Sequence, residues 1–258
     1  MADWWENQCG LDPLSGMSGD LVAHWKFDEG TGQAVSNAVA ASYTGVVCGG
    51  TANWGNGRSG RAGDHALRFD GIDDYAGVST NGCGSIVTQA PFSVSAWVYE
   101  DAATHRFGSV ISDSGWSAPY ITGYLLRLDT NAGAICSFAG AGYGCYRYDW
   151  AENFTGRGVH VVGTCDGTNQ QLYVDGALAQ TSAAAFRAVN NPMLYIGKSH
   201  VNDGVSYWRG AIDDVRICRK ALSSREVAGM YDAWDDPDGD GRVNVAEFKA
   251  GKDPGNPD

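Results

Sequence analysis

Apolar and polar residues alternate with a period of two along most of the chain, from about residue 20 to residue 218. In the segment PFSVSAWVY, residues 91–99, alternate positions carry Phe, Val, Ala and Val on one face and Ser, Ser, Trp and Tyr on the other. Similar runs are LVAHWKF, HALRF, GSVIS, YLLRL, AICSF, VHVVGT, QLYV, MLYIG and AIDDVRIC. This periodicity predicts β-strands with two distinct faces.

Short turn signals separate these runs, namely the Asp-Gly or Asn-Gly steps at 70–71, 81–82, 166–167, 175–176 and 203–204. Such dipeptides tolerate the positive φ angles of tight hairpins. Many short strands without intervening helices predict an all-β fold, an antiparallel sandwich or jelly roll. One short helix is predicted after Leu222, where Ser223 and Glu226 form a capping box.

The charge balance excludes two classes of partner. The chain has 258 residues, a formal net charge of −12 and a sequence pI near 4.7. An acidic chain lacks the basic surface that nucleic acids and anionic membranes require. It also contains no apolar run of about 18 residues, so we expect no membrane insertion.

The seven cysteines follow no metal-binding spacing, which leaves disulfides or buried thiols. Cys136 and Cys145 flank a glycine-rich segment and are candidates for a disulfide across a hairpin. We expect a secreted or cell-surface protein, because disulfides persist in oxidising compartments. The first residues resemble no signal peptide, so we expect the export signal to precede this fragment in its parent protein.

A calcium loop is predicted near the C-terminus, where residues 236–247 read DPDGDGRVNVAE. This is the EF-hand spacing, in which oxygen ligands converge on one Ca²⁺ ion around a sharp glycine turn. The predicted ligands are Asp236, Asp238, Asp240, Arg242 through its carbonyl, Asn244 and Glu247. The alternative is an acidic linker that contains glycine.

The N-terminal residues resemble the second half of the same repeat, since Glu6, Gly10, Asp12 and Pro13 align with Glu247, Gly251, Asp253 and Pro254. Chance agreement of two short acidic segments is the alternative. We therefore expect a remnant of a calcium-repeat linker at 1–18, a sandwich domain at 19–234, and a calcium loop with a tail at 235–258. Both terminal segments resemble thrombospondin type 3 and dockerin repeats, which implies covalently linked neighbouring domains.

The central segments resemble a laminin-G-like domain of the concanavalin A-like jelly-roll class. The segments that carry the resemblance are LVAHWKFDEGTG, ALRFDGIDDYAGV, PFSVSAWVY, VHVVGTCDGTNQQLYVDG, LYIGKS and YWRGAIDDVRICRKALSSREVAGMY. The resemblance covers about residues 19–234. It implies a two-sheet sandwich whose rim loops bind carbohydrates or proteins, often with calcium.

Two further sets of side chains follow from that expectation. A second calcium site is expected among acidic residues at strand ends, namely Asp28, Asp70, Asp73, Asp74, Asp213 and Asp214. A polysaccharide site needs exposed aromatic rings beside polar groups. Its candidates are Trp116, Tyr120, Tyr143, Tyr146, Trp150, His200, Asn202, Tyr207 and Trp208, whereas Trp25, Trp97 and Tyr173 are assigned to packing.

No catalytic motif is evident, since the chain lacks alternating carboxylates on one strand as well as GxSxG, HExxH and P-loop sequences. We therefore predict a non-enzymatic, calcium-stabilised module that binds a polysaccharide or glycan. One alternative is an adhesion or spacer module that binds extracellular proteins. The other is a glycoside hydrolase or polysaccharide lyase of this fold, with carboxylates such as Asp129, Asp149 or Glu152 on different strands.

Overall fold

The computed structural model describes residues 19–50, 53–58, 62–80, 85–101, 108–117, 120–129, 134–139, 145–149, 155–183, 186–200 and 206–232. Within these residues the chain forms two antiparallel β-sheets and one helix. The predicted all-β sandwich is therefore confirmed. No helix in the described part of the chain is long and apolar enough to cross a membrane.

The first sheet contains eight described strands. They are β1 (Leu21–Trp25), β4 (Asn53–Asn56), β5 (His65–Asp70), β7 (Phe92–Glu100), β12 (Gly158–Cys165), β13 (Asn169–Val174), β14 (Ala177–Ala183) and β16 (Arg209–Cys218). Their order is β14-β13-β12-β7-β16-β5-β4, and β1 also pairs with β16. Strand β7 thus lies in the middle of the sheet.

The second sheet also contains eight described strands. They are β2 (Ala34–Val35), β3 (Gly45–Cys48), β6 (Tyr75–Ser79), β8 (Gly108–Ser117), β9 (Tyr120–Asp129), β10 (Ala134–Ala139), β11 (Cys145–Asp149) and β15 (Met193–Ile196). Their order is β11-β10-β9-β8-β15-β6-β3-β2. Every alternating run identified in the sequence lies on a strand of one of the two sheets.

The core lies between the sheets and is built from the inward faces predicted by the alternation. On β7, the side chains of Phe92, Val94, Ala96 and Val98 all belong to this core. Trp25 and Trp208, each 0% exposed, are its largest fully buried side chains. Burial of side chains of this size contributes on the order of 2 kcal/mol each to folding.

The turn between β13 and β14 has the positive φ angles that its Asp-Gly step predicts. Asp175 and Gly176 connect β13 to β14 with φ angles of 49° and 75°, as a tight hairpin requires. A side chain at Gly176 would also start 3.1 Å from Tyr231 of the helix, so glycine is needed there for two reasons.

The predicted helix is α1 (Ser224–Asp232), and it packs on the outer face of the first sheet. Its capping box is confirmed, because Ser223 Oγ donates to Glu226 Oε2 at 2.7 Å and accepts from the Glu226 backbone N–H at 3.3 Å. Leu222, Val227 and Met230 form a small apolar cluster with Val162 and Tyr173 of the sheet. The helix therefore covers only part of that outer face.

Four of the five cysteines in the described strands lie on one hairpin or are buried, and the fifth, Cys48 of β3, is partly exposed. On the β10–β11 hairpin, Cys136 is opposite Arg147 and Cys145 is opposite Phe138, so the two cysteines are not direct partners in the register. Cys165 and Cys218 are buried at 0% and 2% exposure. Burial raises the pKa of the Cys218 thiol to about 12, as expected for an unreactive core cysteine.

Candidate functional site

A cleft of about 440 Å³ opens on the outer face of the first sheet, beside helix α1. It is a concave site among the described residues, and ligands usually bind in such sites. The lining residues are Asn56, Gly57, Arg58, Ala66, Arg68, Trp97, Val98, Tyr99, Asp101, Gly158, Ala211 and Asp213. We refer to this feature as the cleft.

Strand β7 forms the centre of this surface because its outward residues change from small to large along the strand. Under the segment before helix α1, Ser93 Oγ donates to Lys220 O at 2.6 Å and accepts from Leu222 N at 2.9 Å. Further along β7, the large Trp97 and Tyr99 follow on the same face. Tyr99 is 38% exposed, so the cover provided by the C-terminal segment ends before it.

Trp97 forms the floor of the cleft and is itself only 2% exposed. Its ring lies against His160 with centroids 5.0 Å apart, and Tyr231 of helix α1 stacks on it at 5.6 Å. The Arg58 guanidinium carbon lies 4.3 Å from its ring centroid, a cation–π contact. Its indole Nε1 has no hydrogen-bond partner among the described residues.

Asp213 lies opposite Trp97 in the register and reaches the cleft from β16. The register of β16 shifts between Asp213 and Arg216, and Asp214 has a φ of 52°, which identifies a local irregularity of the β-bulge type. Asp213 Oδ2 accepts the backbone N–H of Arg58 at 2.9 Å, and this bond holds the Arg58 loop against the sheet.

Burial, together with the nearby charge of Asp214, raises the pKa of Asp213 to about 8. Burial also acts to raise the pKa of Asp214, but the charge of Arg216 and a hydrogen bond with His24 outweigh it and lower that pKa. His24 Nε2 lies 2.5 Å from Asp214 Oδ1, and Arg216 donates to the same oxygen at 3.0 Å. Asp213 is therefore the carboxyl group of the pair that keeps its proton near neutral pH.

The open end of the cleft carries a pair of opposite charges. Arg68 of β5 forms an ion pair with both carboxylate oxygens of Asp101. About a third of each side chain is exposed, so both remain accessible to a ligand. With the exposed Tyr99 ring nearby, the cleft combines an aromatic surface with hydrogen-bond donors and acceptors.

The predicted aromatic rim lies mostly outside the residues whose side chains are described. Trp116 is at the end of β8, Tyr120 begins the neighbouring β9, and Tyr146 lies on β11, all in the second sheet. Tyr143, Trp150 and Asn202 lie outside the described residues. The structure thus brings the backbones of Trp116 and Tyr120 to one hairpin.

Two predicted ligand contacts are corrected by the structure. Trp208 is 0% exposed and its indole N–H donates to Ala211 O at 3.2 Å, so it belongs to the core. His200 donates from Nε2 to Met193 O at 2.9 Å, and its Nδ1 accepts from Ser114 N at 3.2 Å and from Ser112 Oγ at 3.1 Å. Both ring nitrogens of His200 are therefore occupied within the protein.

A second aromatic surface lies on the outer face of the second sheet and includes Tyr207 of the predicted set. Lys198 Nζ lies 3.9 Å from the Tyr75 ring centroid, 4.3 Å from that of Tyr195 and 5.9 Å from that of Tyr207. We refer to these four residues as the tyrosine site. All four are partly exposed.

The residues predicted to bind calcium separate into three groups. Residues 236–247 lie outside the described residues, so the predicted loop there stays a prediction. Asp70, Asp73 and Asp74 form a group whose carboxylate oxygens lie within 4.8 Å of one another.

The remaining acidic residues are engaged elsewhere, which corrects the larger predicted set. Asp28 accepts the backbone N–H of His65 at 3.3 Å, whereas Asp213 and Asp214 bond with Arg58 and His24 as described above. The physical reason is that β16 turns Asp213 and Asp214 toward different neighbours, while the short turn after β5 gathers its three aspartates.

Several residues of the cleft were missed by the sequence reasoning. Arg58, Arg68, Tyr99 and Asp101 were not candidates, and Trp97 was assigned only to packing. The sequence did contain one indication of this site. The outward-facing positions of β7 begin with small serines and end with the large aromatic residues Trp97 and Tyr99. The convergence of Arg58 and Arg68 on that face depends on strand order, which alternation along one strand does not specify.

The sequence matches the family profile of the concanavalin A-like lectin/glucanases superfamily, laminin G type, over residues 70–228. No curated protein is similar enough in sequence to count as a relative. The family match covers more than half of the chain and includes the cleft residues of β7 and β16.

Solved structures with this fold come from several proteins. Domain 4 of an extracellular arabinanase from Geobacillus stearothermophilus, solved with arabinotriose, matches with a TM-score of 0.62 and 18% identity over 82% of this chain and 98% of that domain. A Trypanosoma rangeli sialidase matches at 0.58 and 18% identity, over 83% of this chain and 32% of its own. The binding domain of botulinum neurotoxin DC, in complex with SialylT, matches with a TM-score of 0.60 and 12% identity, over 86% of this chain and 53% of that chain.

These matches correct the prediction of a non-enzymatic chain. Structures that share the fold belong to an arabinanase and a sialidase, so the fold together with absent motifs does not exclude an enzyme. At this level of identity the likeness shows the fold alone. The chain also spans only about a third of the sialidase and about half of the toxin domain.

Proposed function

The chain belongs to the concanavalin A-like lectin/glucanases superfamily, and we propose that it recognises a carbohydrate in the cleft on its first sheet. The observation that carries this proposal is the buried Trp97 floor, whose indole N–H has no partner among the described residues. A buried donor without a partner is unfavourable by about 1–3 kcal/mol. Trp97 lines the cleft, so a sugar hydroxyl that reached the indole would satisfy this N–H.

The walls of the cleft suit a neutral sugar. Tyr99 offers an exposed ring to an apolar C–H face, while Arg68 and Asp101 offer paired donors and acceptors to hydroxyl groups. Arg68 is neutralised by Asp101 and Asp213 keeps its proton, while the Arg58 guanidinium, which also lines the cleft, lies over the Trp97 ring. Such a surface favours hydrogen bonding over ion pairing.

The structural neighbours support the choice of ligand class. The arabinanase domain was solved with arabinotriose, a sialidase with sialic acid, and one neurotoxin is described as interacting with ganglioside molecules. We extend carbohydrate recognition, and with it an extracellular location in a larger multidomain protein, to this chain. Protein-mediated adhesion is the outcome expected if no glycan binds.

A glycan array followed by calorimetry on the best neutral oligosaccharide tests the proposal. Tyr99→Ala and Arg68→Gln should each weaken binding by about tenfold or more, since each removes a contact of about 1.4 kcal/mol. Leu178→Ala is the matched control, because Leu178 is 48% exposed on β14 of the same sheet and does not line the cleft. Equal affinity of all three variants would show that the sugar binds elsewhere.

A second candidate function, hydrolysis of a glycosidic bond, is favoured by the position of Asp213, which lines the cleft opposite Trp97 and whose pKa is raised to about 8 by burial. A carboxyl group that keeps its proton near neutral pH is the state required of a general acid. Release of reducing sugar from a polysaccharide panel, lost in Asp213→Asn, would support this function. Binding without product release by the wild-type protein would contradict it.

Calcium binding by the loop at 236–247 is part of the same proposal. An ion that binds only the folded state stabilises it, by about 2.7 kcal/mol at a concentration a hundredfold above Kd. Calcium should therefore raise the melting temperature, and Glu247→Gln should reduce this rise. An Asp73→Asn variant shows whether the Asp70, Asp73 and Asp74 group contributes, and an unchanged melting temperature in calcium would contradict the proposal.

A further inference from the structure

The tyrosine site has a preformed floor on the second sheet. Tyr195 lies opposite Gly77 in the β15–β6 register, and Cys48 of β3 lies opposite Tyr75. A side chain at Gly77 would start 3.1 Å from Met193 Cε and 3.5 Å from the Tyr75 ring, so both neighbours lean over the glycine. The Tyr75 and Tyr195 rings meet edge to face with centroids 5.5 Å apart.

The orientation of the Tyr195 ring is also fixed by contact with His200. Its ring packs on His200 at 4.6 Å, and His200 is anchored by the three hydrogen bonds described above. An aromatic ring that its neighbours already fix loses little further freedom when a ligand contacts its exposed part. This lowers the entropic penalty of binding.

Lys198 is a cation with no acidic counterpart in the described part of the chain. Its Nζ lies over the tyrosine rings, and no carboxylate oxygen of a described residue lies within 4.0 Å. Partial burial lowers the pKa of Lys198, and the only opposing influence is the Cys48 thiol. A partly desolvated ammonium group is thus available to an anion.

From this arrangement we propose that the tyrosine site binds a sugar residue that carries a carboxylate, with its apolar face on the exposed part of the three tyrosine rings and its carboxylate on Lys198 Nζ. The charge pattern decides between ligand types. An aromatic cage that already surrounds an ammonium group repels a second cation, which excludes amines. A charge-assisted hydrogen bond from Lys198 favours an acidic sugar over its neutral counterpart.

This second site is independent of the cleft, because the two lie on different sheets and share no residue. In the cleft, Arg68 is paired with Asp101, whereas Lys198 lacks such a partner among the described residues. The unpaired Lys198 therefore directs the acidic unit of a ligand to the second sheet. A polysaccharide with neutral and acidic units could occupy both sites.

Matched pairs of oligosaccharides test this inference, such as trigalacturonic acid and its neutral, carboxyl-reduced form. The acidic trimer should bind the wild-type protein about tenfold or more tightly than the neutral one. Lys198→Met keeps the aliphatic stem and should abolish this preference. Lys26→Met is the control, since Lys26 is an exposed lysine with no described contact to the three rings.

Added salt gives a measurement that does not depend on folding of a variant. Sodium chloride should weaken binding of the acidic trimer to the wild-type protein more than binding of the neutral trimer. Equal affinity for both trimers, or an unchanged preference in Lys198→Met, would overturn the inference. A preference lost in Tyr99→Ala but not in Lys198→Met would place the carboxylate in the cleft, overturning this inference while leaving the proposed function intact.

Discussion

The cleft and the tyrosine site each rest on an aromatic ring packed against a histidine, but the two histidines are held differently. His160 lies beside Trp97, is 1% exposed, and has no hydrogen-bond partner for either ring nitrogen among the described residues. His200 lies beside Tyr195 and uses both ring nitrogens in hydrogen bonds to Met193, Ser112 and Ser114. His160 therefore contributes only ring packing, whereas His200 also links neighbouring segments through hydrogen bonds.

This difference extends to the rings themselves. Trp97 is enclosed by Arg58, His160 and Tyr231, so it contributes to the stability of the domain as well as to the cleft. Tyr195 is only partly buried and can lose a contact without leaving a large cavity. Changes to the cleft should therefore affect folding and ligand binding together, whereas changes to the tyrosine site should affect mainly ligand binding.

Truncation of the two rings should show the largest contrast. Trp97→Ala should lower the free energy of unfolding by about 3–5 kcal/mol, because it leaves a cavity under the cleft. Tyr195→Ala should lower it by only about 1–2 kcal/mol, the worth of one ring pair and one cation–π contact. Urea unfolding followed by tryptophan fluorescence and circular dichroism measures both, and equal losses would contradict the comparison.

The two histidines provide the second contrast. His200→Leu should be more destabilising than His160→Leu by about 1–3 kcal/mol, because it leaves buried hydrogen-bonding groups without partners. His160→Leu loses only the ring contact with Trp97, worth about 0.5–1.5 kcal/mol. Chemical denaturation of the matched pair at pH 7 is the measurement. The comparison fails if His160→Leu proves the more damaging change.

Acid should lower the stability of the folded protein through His160. Burial lowers the pKa of His160 to about 3, below the value of about 6.5 expected in the unfolded chain. Between these values the unfolded state binds a proton that the folded state does not, so stability is present above pH 6.5 and is lost as pH falls. The slope is up to about 1.4 kcal/mol per pH unit for one proton.

The His160→Leu variant isolates this contribution, because other groups titrate equally in both proteins. The difference in unfolding free energy between wild type and variant should decrease from pH 7 to pH 4. A constant difference across this range would show that His160 binds its proton equally in the folded and unfolded states.

The smallest effect is expected at the mouth of the cleft. Arg68 and Asp101 are about one-third exposed, so solvent screens their ion pair. A double-mutant cycle with Arg68→Ala and Asp101→Ala should give a coupling of about 0.2–1 kcal/mol in stability. A coupling above this range would indicate a structural role for the pair, whereas glycan affinity should depend on both residues.

Much of the architecture followed from local pattern. The alternation in residues 91–99 predicted which side chains of β7 enter the core, and Ser223 with Glu226 predicted the start of helix α1. Both features depend on residues a few positions apart, because strand pleat and helix capping are local geometries. Trp208 was misassigned for the same reason, since its neighbours in sequence are polar but its neighbours in space are not.

By itself, then, the sequence determined the strands, their inward faces, the tight turns and the sandwich class. Only the tertiary structure decided that Arg58 and Asp213 meet at Trp97, and that Lys198 lies among three tyrosines from separate segments. Those contacts depend on strand order and register between distant parts of the chain. Cross-strand neighbours are chosen by collective packing of the whole sandwich, which no single stretch of alternating residues encodes.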